Sequence, residues 1–402
     1  MDTQIAVLGA GPYGLAIGAH LRANNADFRI FGRPMDLWQN HMPEGMLLKS
    51  DGAASNLYDP GGAFPLARYC QDRAIAYGDD RIPVRLDTFV NYGLAFAKRF
   101  VPNLEDVLVQ SLTRSNDRFV LKLDNGEEVR ARRVVVATGV QHFRHTPQQL
   151  LSLPSERFSH SYDHGDLASL LGRSVVVLGG GASAIDLAAL LKSRGGNVQI
   201  VCRREHLRFA DPPERERTLW QRVRHPNSGL GPGIKSRFCT DAPLLFHSFP
   251  QQFRHSFVRS HLGPHAGWPM KELVVGRVPV ASGQELLSAS FEGGYVNLKL
   301  RNRSNETTDV QADHVVAATG YRIDLRRLDY LDRSLAASLK QVEFSPVLST
   351  RFESSIKGLF FTGPIAANSF GPLMRFALGA EFSCRRILPM LSRLPDVAEL
   401  GA

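Results

Sequence analysis

"VVVLGGGASAIDLAALL", Val175 to Leu191, and "IAVLGAGPYGLAIGAHL", Ile5 to Leu21, follow one plan. Each has a run of four apolar residues, then closely spaced glycines, then apolar residues at helical spacing. The apolar run reads as a buried parallel strand. In the first copy Gly9, Gly11 and Gly14 give G-x-G-x-x-G directly after the strand. Gly9 permits the tight turn, Gly11 lets the backbone approach a pyrophosphate, and Gly14 lets helix and strand pack closely. Pro12 and Tyr13 open the helix, whose free N–H groups and partial positive charge suit phosphate oxygens. In the second copy Gly179, Gly181 and Ala184 hold the three positions and Ala182 and Ser183 open the helix; alanine is an accepted third residue. Two such units in one chain predict an α/β protein with two Rossmann-like dinucleotide-binding domains. One would hold a resident FAD and the other a visiting nicotinamide that reduces it, so the protein's task is to bring the two rings together.

The strands that follow the two turns differ from the usual pattern and from each other. After "DFRIFGRP" an acid normally stands about twenty residues past the glycines to hold a ribose. Gly32, Arg33 and Pro34 are found there, and the nearest acid is Asp36. Either Asp36 reaches back, or Arg33 and backbone groups hold the adenosine. The second such strand, "VQIVCRRE", ends in Arg203 and Arg204. Guanidinium groups at that place fork onto a 2′-phosphate and favour NADPH over NADH, the alternative being two ordinary surface arginines.

Two further strands end in Ala-Thr-Gly: "ARRVVVATGVQ", with Thr138 and Gly139, and "ADHVVAATGYR", with Thr319, Gly320 and Tyr321. Each follows a hairpin-like stretch, the first turning at Asn125-Gly126, a favoured type I′ pair. A small residue followed by glycine lets the chain reverse beside a nucleotide, and two copies mark where two domains meet. Near the C-terminus, "GLFFTGPIAANSFGPLMRFALGAEF" reads as a strand running into Gly363, then a loop to Gly371-Pro372 and a helix from Leu373. The start of that helix is expected to face the flavin's pyrimidine edge, where negative charge collects on reduction. The expected partition is 1–155 for the first part of an FAD domain, 156–311 for an inserted NADPH domain, and 312–402 for the rest of the FAD domain.

Bulk properties narrow the function classes. The 402 residues, 43% hydrophobic, are enough for two or three domains. No stretch is long and apolar enough for a bilayer span, and the first residues run straight into a strand with no room for a cleavable leader. Cys70, Cys202, Cys239 and Cys384 are far apart with no CxxC, which fits a reducing cytoplasm and argues against a dithiol redox centre. The net charge of +9 comes from basic residues interspersed with acids, without the clustered patch of a nucleic-acid binder. No metal is expected: His255, His261 and His265 lack nearby cysteine or acidic ligands. Association into homo-oligomers stays open.

Taken together, the glycine turns, both Ala-Thr-Gly strands and "GLFFTG" resemble the flavin-dependent monooxygenases with two dinucleotide-binding domains: flavin-containing monooxygenases, Baeyer–Villiger enzymes and lysine/ornithine N-hydroxylases. The resemblance covers nearly the whole chain. "HSYDH", His160 to His164, is similar to the His-Ser-x-Asp core of the flavin-containing monooxygenase fingerprint, although its upstream Phe and Gly would fall on Pro154 and Glu156. The Trp-Pro of the Baeyer–Villiger form is absent. "DHVVAATGY" is similar to the N-hydroxylase motif D-x-x-x-[LF]-A-T-G-Y, with Ala317 at the Leu position. "LWQNHMPEGMLLKS" resembles the segment that passes the flavin, but without the Lys-Asp-Leu that usually follows.

The resemblance implies that NADPH reduces FAD, that reduced flavin adds O2 at C4a, and that one oxygen passes to a small-molecule substrate by N-, S- or ring hydroxylation. Such chemistry asks the protein for water exclusion, hydrogen bonds and positioning more than for acids and bases. Lys49, Ser50 and Asn56 lie on the loop expected to pass the flavin, Trp38 is expected to pack beside it, and Asn368 and Ser369 precede Gly371. A solvated loop, core packing and helix capping are the plainer roles for these residues. The stretch 209–271, rich in Arg, His, Phe, Pro and Gly, shows little periodicity and is expected to be an irregular insertion that roofs the active site. The competing readings are a flavoprotein reductase passing electrons to a quinone or other acceptor, and a non-catalytic nucleotide-binding regulator.

Overall fold

The computed structural model describes residues 2–212, 218, 220, 224–261, 263 and 265–392. The extreme C-terminal tail and parts of the 209–271 stretch lie outside them. The first sheet runs in the order β3 (Leu104–Glu105), β2 (Phe28–Phe31), β1 (Asp2–Leu8), β6 (Glu128–Val136), β5 (Arg118–Leu123), β4 (Val109–Ser115). β1 lies parallel to β2 and to β6, Leu8 opposite both Phe31 and Val136. β6 changes neighbour along its length: its start pairs antiparallel with β5, and its end pairs parallel with the late strand β17 (Leu359–Phe361).

A second sheet, parallel throughout, has the order β10 (Val280–Ala281), β9 (Asn197–Val201), β8 (Ser174–Leu178), β14 (His314–Ala317), β7 (Phe158–His160). Between β10 and β14 the chain forms an antiparallel three-stranded sheet of β11 (Glu285–Glu292), β12 (Tyr295–Arg301) and β13 (Thr307–Ala312). A two-stranded hairpin, β15 (Gln341–Val342) with β16 (Ser345–Pro346), follows. The chain thus leaves the first sheet after β6, completes the second, and returns at β17. The strand that carries the second Ala-Thr-Gly is part of the second sheet, so the boundary expected at 311/312 is displaced. Parallel pairing of β14 with β8, Val316 opposite Val177, holds it there.

Period-two alternation shows why the second glycine turn follows a wholly apolar run. Val175 and Val177 pack with the helix Ala182–Ser193, whereas Val176 and Leu178 face the core shared with β12. Both faces of β8 are covered, so neither needs polar residues. In the first sheet the helices Pro12–Ala23, Leu86–Phe100 and Gly379–Leu391 contribute Ile17, Phe96 and Ile387 to one core with Val134, Val135 and Phe361.

Among its described residues the 209–271 stretch is largely helical from 234 to 260 rather than irregular. It contains the helices Ile234–Asp241, Pro243–Ser248 and Gln251–Ser260, and Met270–Val274 starts at its end. They run five to ten residues and begin at proline or glycine, so none is long enough to show a periodic apolar stripe. Cys239, Phe246 and Val258 join the core of the first sheet, while Ala266, Met270 and Val274 join the second. The segment therefore bridges the two sheets.

The helix expected from Leu373 is also broken. A 3-10 turn covers Pro372–Arg375, and the helix proper runs Gly379–Leu391. The Tyr13 hydroxyl lies 2.7 Å from Phe376 O and 3.0 Å from Met374 O, taking up carbonyls that a continuous helix would use. A Cβ on Gly379 would come within 2.3 Å of that hydroxyl, so glycine is required there.

Candidate active site between the two glycine turns

The two turns are built alike. Gly9, at φ +107°, stands where a Cβ would lie 2.4 Å from Ala137 O, and Gly179, at φ +142°, where one would lie 2.3 Å from Ala318 O. Each first glycine thus presses on the alanine of its own sheet's Ala-Thr-Gly, which explains why the two motifs occur as pairs. A Cβ on Gly14 would lie 1.8 Å from Gly9 O, the close helix–strand packing expected of the third glycine. Gly11 differs: nothing lies within 4 Å of where its Cβ would be. That open space at the start of the helix Pro12–Ala23 fits a pyrophosphate lying against the N–H groups. In the second turn Gly181 caps a helix that opens with Ala182 and Ser183, while Ala184 is buried.

The crossings between the two sheets are bonded to each other. Arg144 and Tyr321 form an antiparallel bridge. His145 N donates to Gly320 O (2.9 Å), Arg322 N donates to Phe143 O (2.7 Å), and Thr319 Oγ1 donates to His145 O. Thr138 Oγ1 lies 3.0 Å from the Tyr330 hydroxyl, and Gly139 takes φ +72°. In the "HSYDH" stretch His160 and Asp163 form a reciprocal cap, and His160 Nε2 sits 3.2 Å from Gly320 O. These residues shape the linker.

Near the first turn, Arg33 is exposed with its Nε 3.9 Å from a carboxylate oxygen of Asp106, the residue after β3. Asp36 faces Asn40 (2.7 Å) and His41 (3.5 Å). An acid does stand beside the end of β2, but it follows β3, some seventy residues downstream of Arg33, where no local motif could reveal it. Arg203 is exposed and Arg204 half-buried just after the end of β9.

The loop candidates separate. Lys49 Nζ lies 3.1 Å from His265 Nδ1. Burial pushes the Lys49 ammonium down to about 8, with Asp186 opposing that shift and Arg375 adding to it. Asp186 is buried on the helix Ala182–Ser193, and burial raises its carboxyl to about 7, with Lys49 pulling the other way. Ser50, half-buried beside Lys49, has no partner among the described residues. Asn56, expected near the flavin, instead holds its own loop: Nδ2 donates to Ala53 O and Oδ1 accepts from Leu66 N. Asn368 donates to Ser345 Oγ at 2.7 Å. Trp38 stands edge-on to Phe89 at 5.0 Å, packed against the core. Tyr13 sits beneath Gly363 and braces the Gly371–Leu373 turn, with Leu373 buried.

His265 meets Lys49 from another element, and Asp186 and Arg375 act on it electrostatically; these were not singled out as a site in the sequence. The one available signal was Asp186, the only charged residue among Ala182 to Leu191. The three histidines considered for a metal go to different partners: His255 to Glu343, His261 to Phe257, and His265 to Lys49.

Tyr13→Phe is expected to destabilise the fold by about 1–3 kcal/mol, because it removes the one hydroxyl proton shared by the Met374 and Phe376 carbonyls, of which Phe376 O keeps the Gly379 N–H as a donor. A lowered denaturation midpoint measures this; an unchanged midpoint removes Tyr13 as the brace of residues 374–376.

The profile of the pyridine nucleotide-disulphide oxidoreductases matches residues 3–227. A ferredoxin–NADP reductase 1 of Bacillus cereus is 29% identical over 210 residues, 51% of this chain and 52% of that protein. The match to such curated relatives spans about half their length. Among solved structures, an ornithine N-hydroxylase of Kutzneria sp. 744, described with reduced FAD, NADP+ and L-ornithine, superposes with a TM-score of 0.77 at 16% identity, covering 97% of this chain and 99% of that one. An ornithine hydroxylase of Pseudomonas aeruginosa gives 0.76 at 17% identity, with 97% and 99% covered. These two likenesses establish the shared fold along the whole chain.

Proposed function

The chain belongs to the pyridine nucleotide-disulphide oxidoreductase family, and from that premise we propose that it is an FAD-containing, NADPH-using monooxygenase acting on a small molecule with O2. FAD is assigned to the first sheet, its pyrophosphate at Gly9, Gly11 and Gly14 with Thr138 and Gly139 alongside. NADPH is assigned to the second sheet, at Gly179, Gly181 and Ala184, with Arg203 and Arg204 toward the 2′-phosphate. When bound, FAD supplies hydride acceptance and the activation of oxygen. The chain's own groups bind, orient and exclude water.

The observation that carries this reading is the attachment of the bridging helices. His247 Nδ1 and Arg254 Nη1 each lie 3.2 Å from Ser369 O, the His247 ring stacks on Phe370 at 4.9 Å, and Phe246 packs on Gly371. Helices clamped over the segment assigned to the flavin favour a covered site, which oxygen transfer needs. A reductase serving a protein acceptor needs an open flavin edge instead. The ferredoxin–NADP reductase likeness favours that second reading for the half of the chain it covers. Disulphide reduction lacks its dithiol: Cys70, Cys202, Cys239 and Cys384 are all buried and unpaired.

Oxygen uptake matched to NADPH oxidation, with oxygenated product appearing only when substrate is present, is the expected result. NADPH oxidation coupled to a one-electron acceptor, with no oxygen incorporated from any substrate of a broad panel, would establish the reductase. For cofactor choice, Arg203→Ser is expected to lower kcat/KM for NADPH by about 10–100-fold while leaving NADH nearly unchanged, since only NADPH carries the 2′-phosphate. Equal losses with both cofactors would place Arg203 elsewhere.

A further inference from the structure

We propose that residues 41–47 form a clasp by which the second glycine-turn unit holds the first in the orientation that brings nicotinamide to flavin, with Tyr162 and Arg194 as its positioning residues; the inference rests on the cofactor assignment above.

The clasp is rooted in the first unit, where Trp38 stands edge-on to Phe89 and Met42 packs against the same core. From His41 onward the chain is bonded to the second unit at successive points. The His41 ring stacks on Tyr162 with centroids 3.8 Å apart and planes 14° from parallel. Because Tyr162 O can only accept, His41 Nδ1 donates to it, at 3.1 Å. Glu44 N donates to Gly165 O at 2.9 Å. Arg194, which caps the end of the helix Ala182–Ser193, donates to Glu44 O (3.2 Å) and to the Glu44 carboxylate (2.9 Å). Gly165 has no room to change: a Cβ there would lie 2.2 Å from Asn40 O.

The last residues of the clasp divide between the units. Leu47 forms an antiparallel bridge with Arg85, which gives this stretch the alternation of a strand. Met46 and Leu48 enter the core of the first sheet, and Leu47 between them packs against the core of the second.

Tyr162 is the centre of the arrangement. The stacked His41 ring fills one face of its ring, so the Arg144 guanidinium, 4.7 Å from the centroid, takes the other. Arg144 is itself held by Asp163 at 2.8 Å and by its bridge to Tyr321. Three layers from three chain segments thus meet on one ring. The Tyr162 hydroxyl has no hydrogen-bond partner among the described residues, so the flat ring is the part that serves.

Each glycine turn holds its own nucleotide within its own unit, so cofactor affinity does not depend on how the units face each other. Hydride transfer does, because the reacting atoms must be held about 3–3.5 Å apart and aligned. The Glu44–Arg194 pair is open to water and holds little alone. The stacked ring and the shared strand carry most of the grip. Loosening them should slow the hydride step and spare binding.

Anaerobic mixing of the FAD-loaded protein with saturating NADPH reads the limiting rate of flavin bleaching. Tyr162→Leu keeps apolar bulk but removes the flat ring. It should lower that rate about tenfold or more, with FAD content and the Kd for NADP+ within about twofold of wild type. Tyr162→Phe should restore most of the rate. Arg194→Ala should lower it about two- to fivefold, and Glu44→Gln should add little in that background, since both break one contact. In the protein without cofactors, amide hydrogen exchange at residues 41–47 should accelerate in Tyr162→Leu and in Arg194→Ala, and not in Tyr162→Phe.

A wild-type bleaching rate in Tyr162→Leu overturns the proposal. So does weaker NADP+ binding at an unchanged limiting rate, which would assign Tyr162 to the cofactor site. If Tyr162→Leu does not fold, Arg194→Ala decides, and an unchanged rate with unchanged exchange overturns the clasp. A wild-type chain that takes up no flavin, or whose flavin NADPH does not bleach, fails the cofactor assignment instead. Hydrogen exchange then still reads the clasp, and unchanged exchange in the variants overturns it.

Discussion

Gly11→Val should yield a folded protein that has lost its colour. At Gly11 no atom lies within 4 Å of the place a Cβ would take, so the polypeptide itself has room for the new side chain. The backbone there is extended, with φ −83° and ψ −173°, which valine adopts readily. What the side chain displaces is the ligand: the pyrophosphate must come into van der Waals contact with this backbone to accept hydrogen bonds from the helix N-terminus. FAD affinity should fall at least about 100-fold, about 2.7 kcal/mol. Gly14→Val is the contrasting control. Its Cβ would come within 1.8 Å of Gly9 O, a backbone atom that cannot move away, so this variant should fail to fold. Flavin content per folded chain, with circular dichroism as the check on folding, separates the two. A fully flavinated Gly11→Val protein would mean that the first turn does not hold the cofactor.

Phe246→Ala should produce the largest loss of stability among side chains near the proposed site. Phe246 is fully buried, packs against Gly371, and makes edge-on contacts with Phe249 and Phe257 at 6.4 and 5.4 Å. Truncating such a ring removes its burial and leaves a cavity, which costs about 3–5 kcal/mol. The loss should be concentrated in the helices between 234 and 260, because Phe246, with Cys239 and Val258, joins them to the core of the first sheet. Amide hydrogen exchange across that segment should therefore accelerate more than exchange in β1 or β8. If these helices exclude water during the reaction, the variant should also oxidise NADPH with a greater share of the oxygen released as hydrogen peroxide. Faster exchange without a change in peroxide yield would leave the bridging helices a structural role only.

How far the sequence could be read depends on how local each cause is. A strand, a glycine turn and a helix are consecutive in the chain, and the demand on Gly14 arises within that unit, so the doubled fold was legible. The short helices between 234 and 260 were not, because six to ten residues carry too few turns for a stripe to stand out, and their apolar residues serve a core formed by distant strands. The break before Gly379 was hidden for a similar reason: its cause is a phenol at Tyr13, more than 360 residues earlier.

The proposed site shows the same division. Lys49 was visible as a polar residue on a loop following a nucleotide-binding strand. Asn56 looked equivalent, and only the placement of Ala53 and Leu66 around its amide showed that both ends are occupied.

By itself the sequence determined the two dinucleotide-binding units, their order and the insertion of one into the other, because short-range sterics at glycine and the period of buried strands are written in adjacent residues. The tertiary structure decided which sheet owns the second Ala-Thr-Gly strand, and how the helices of the bridging segment attach to the first sheet. It also decided that Lys49 lies against His265, more than two hundred residues away. These outcomes depend on contacts between residues far apart in the chain, and a charge takes on its meaning only from the neighbours that folding brings to it.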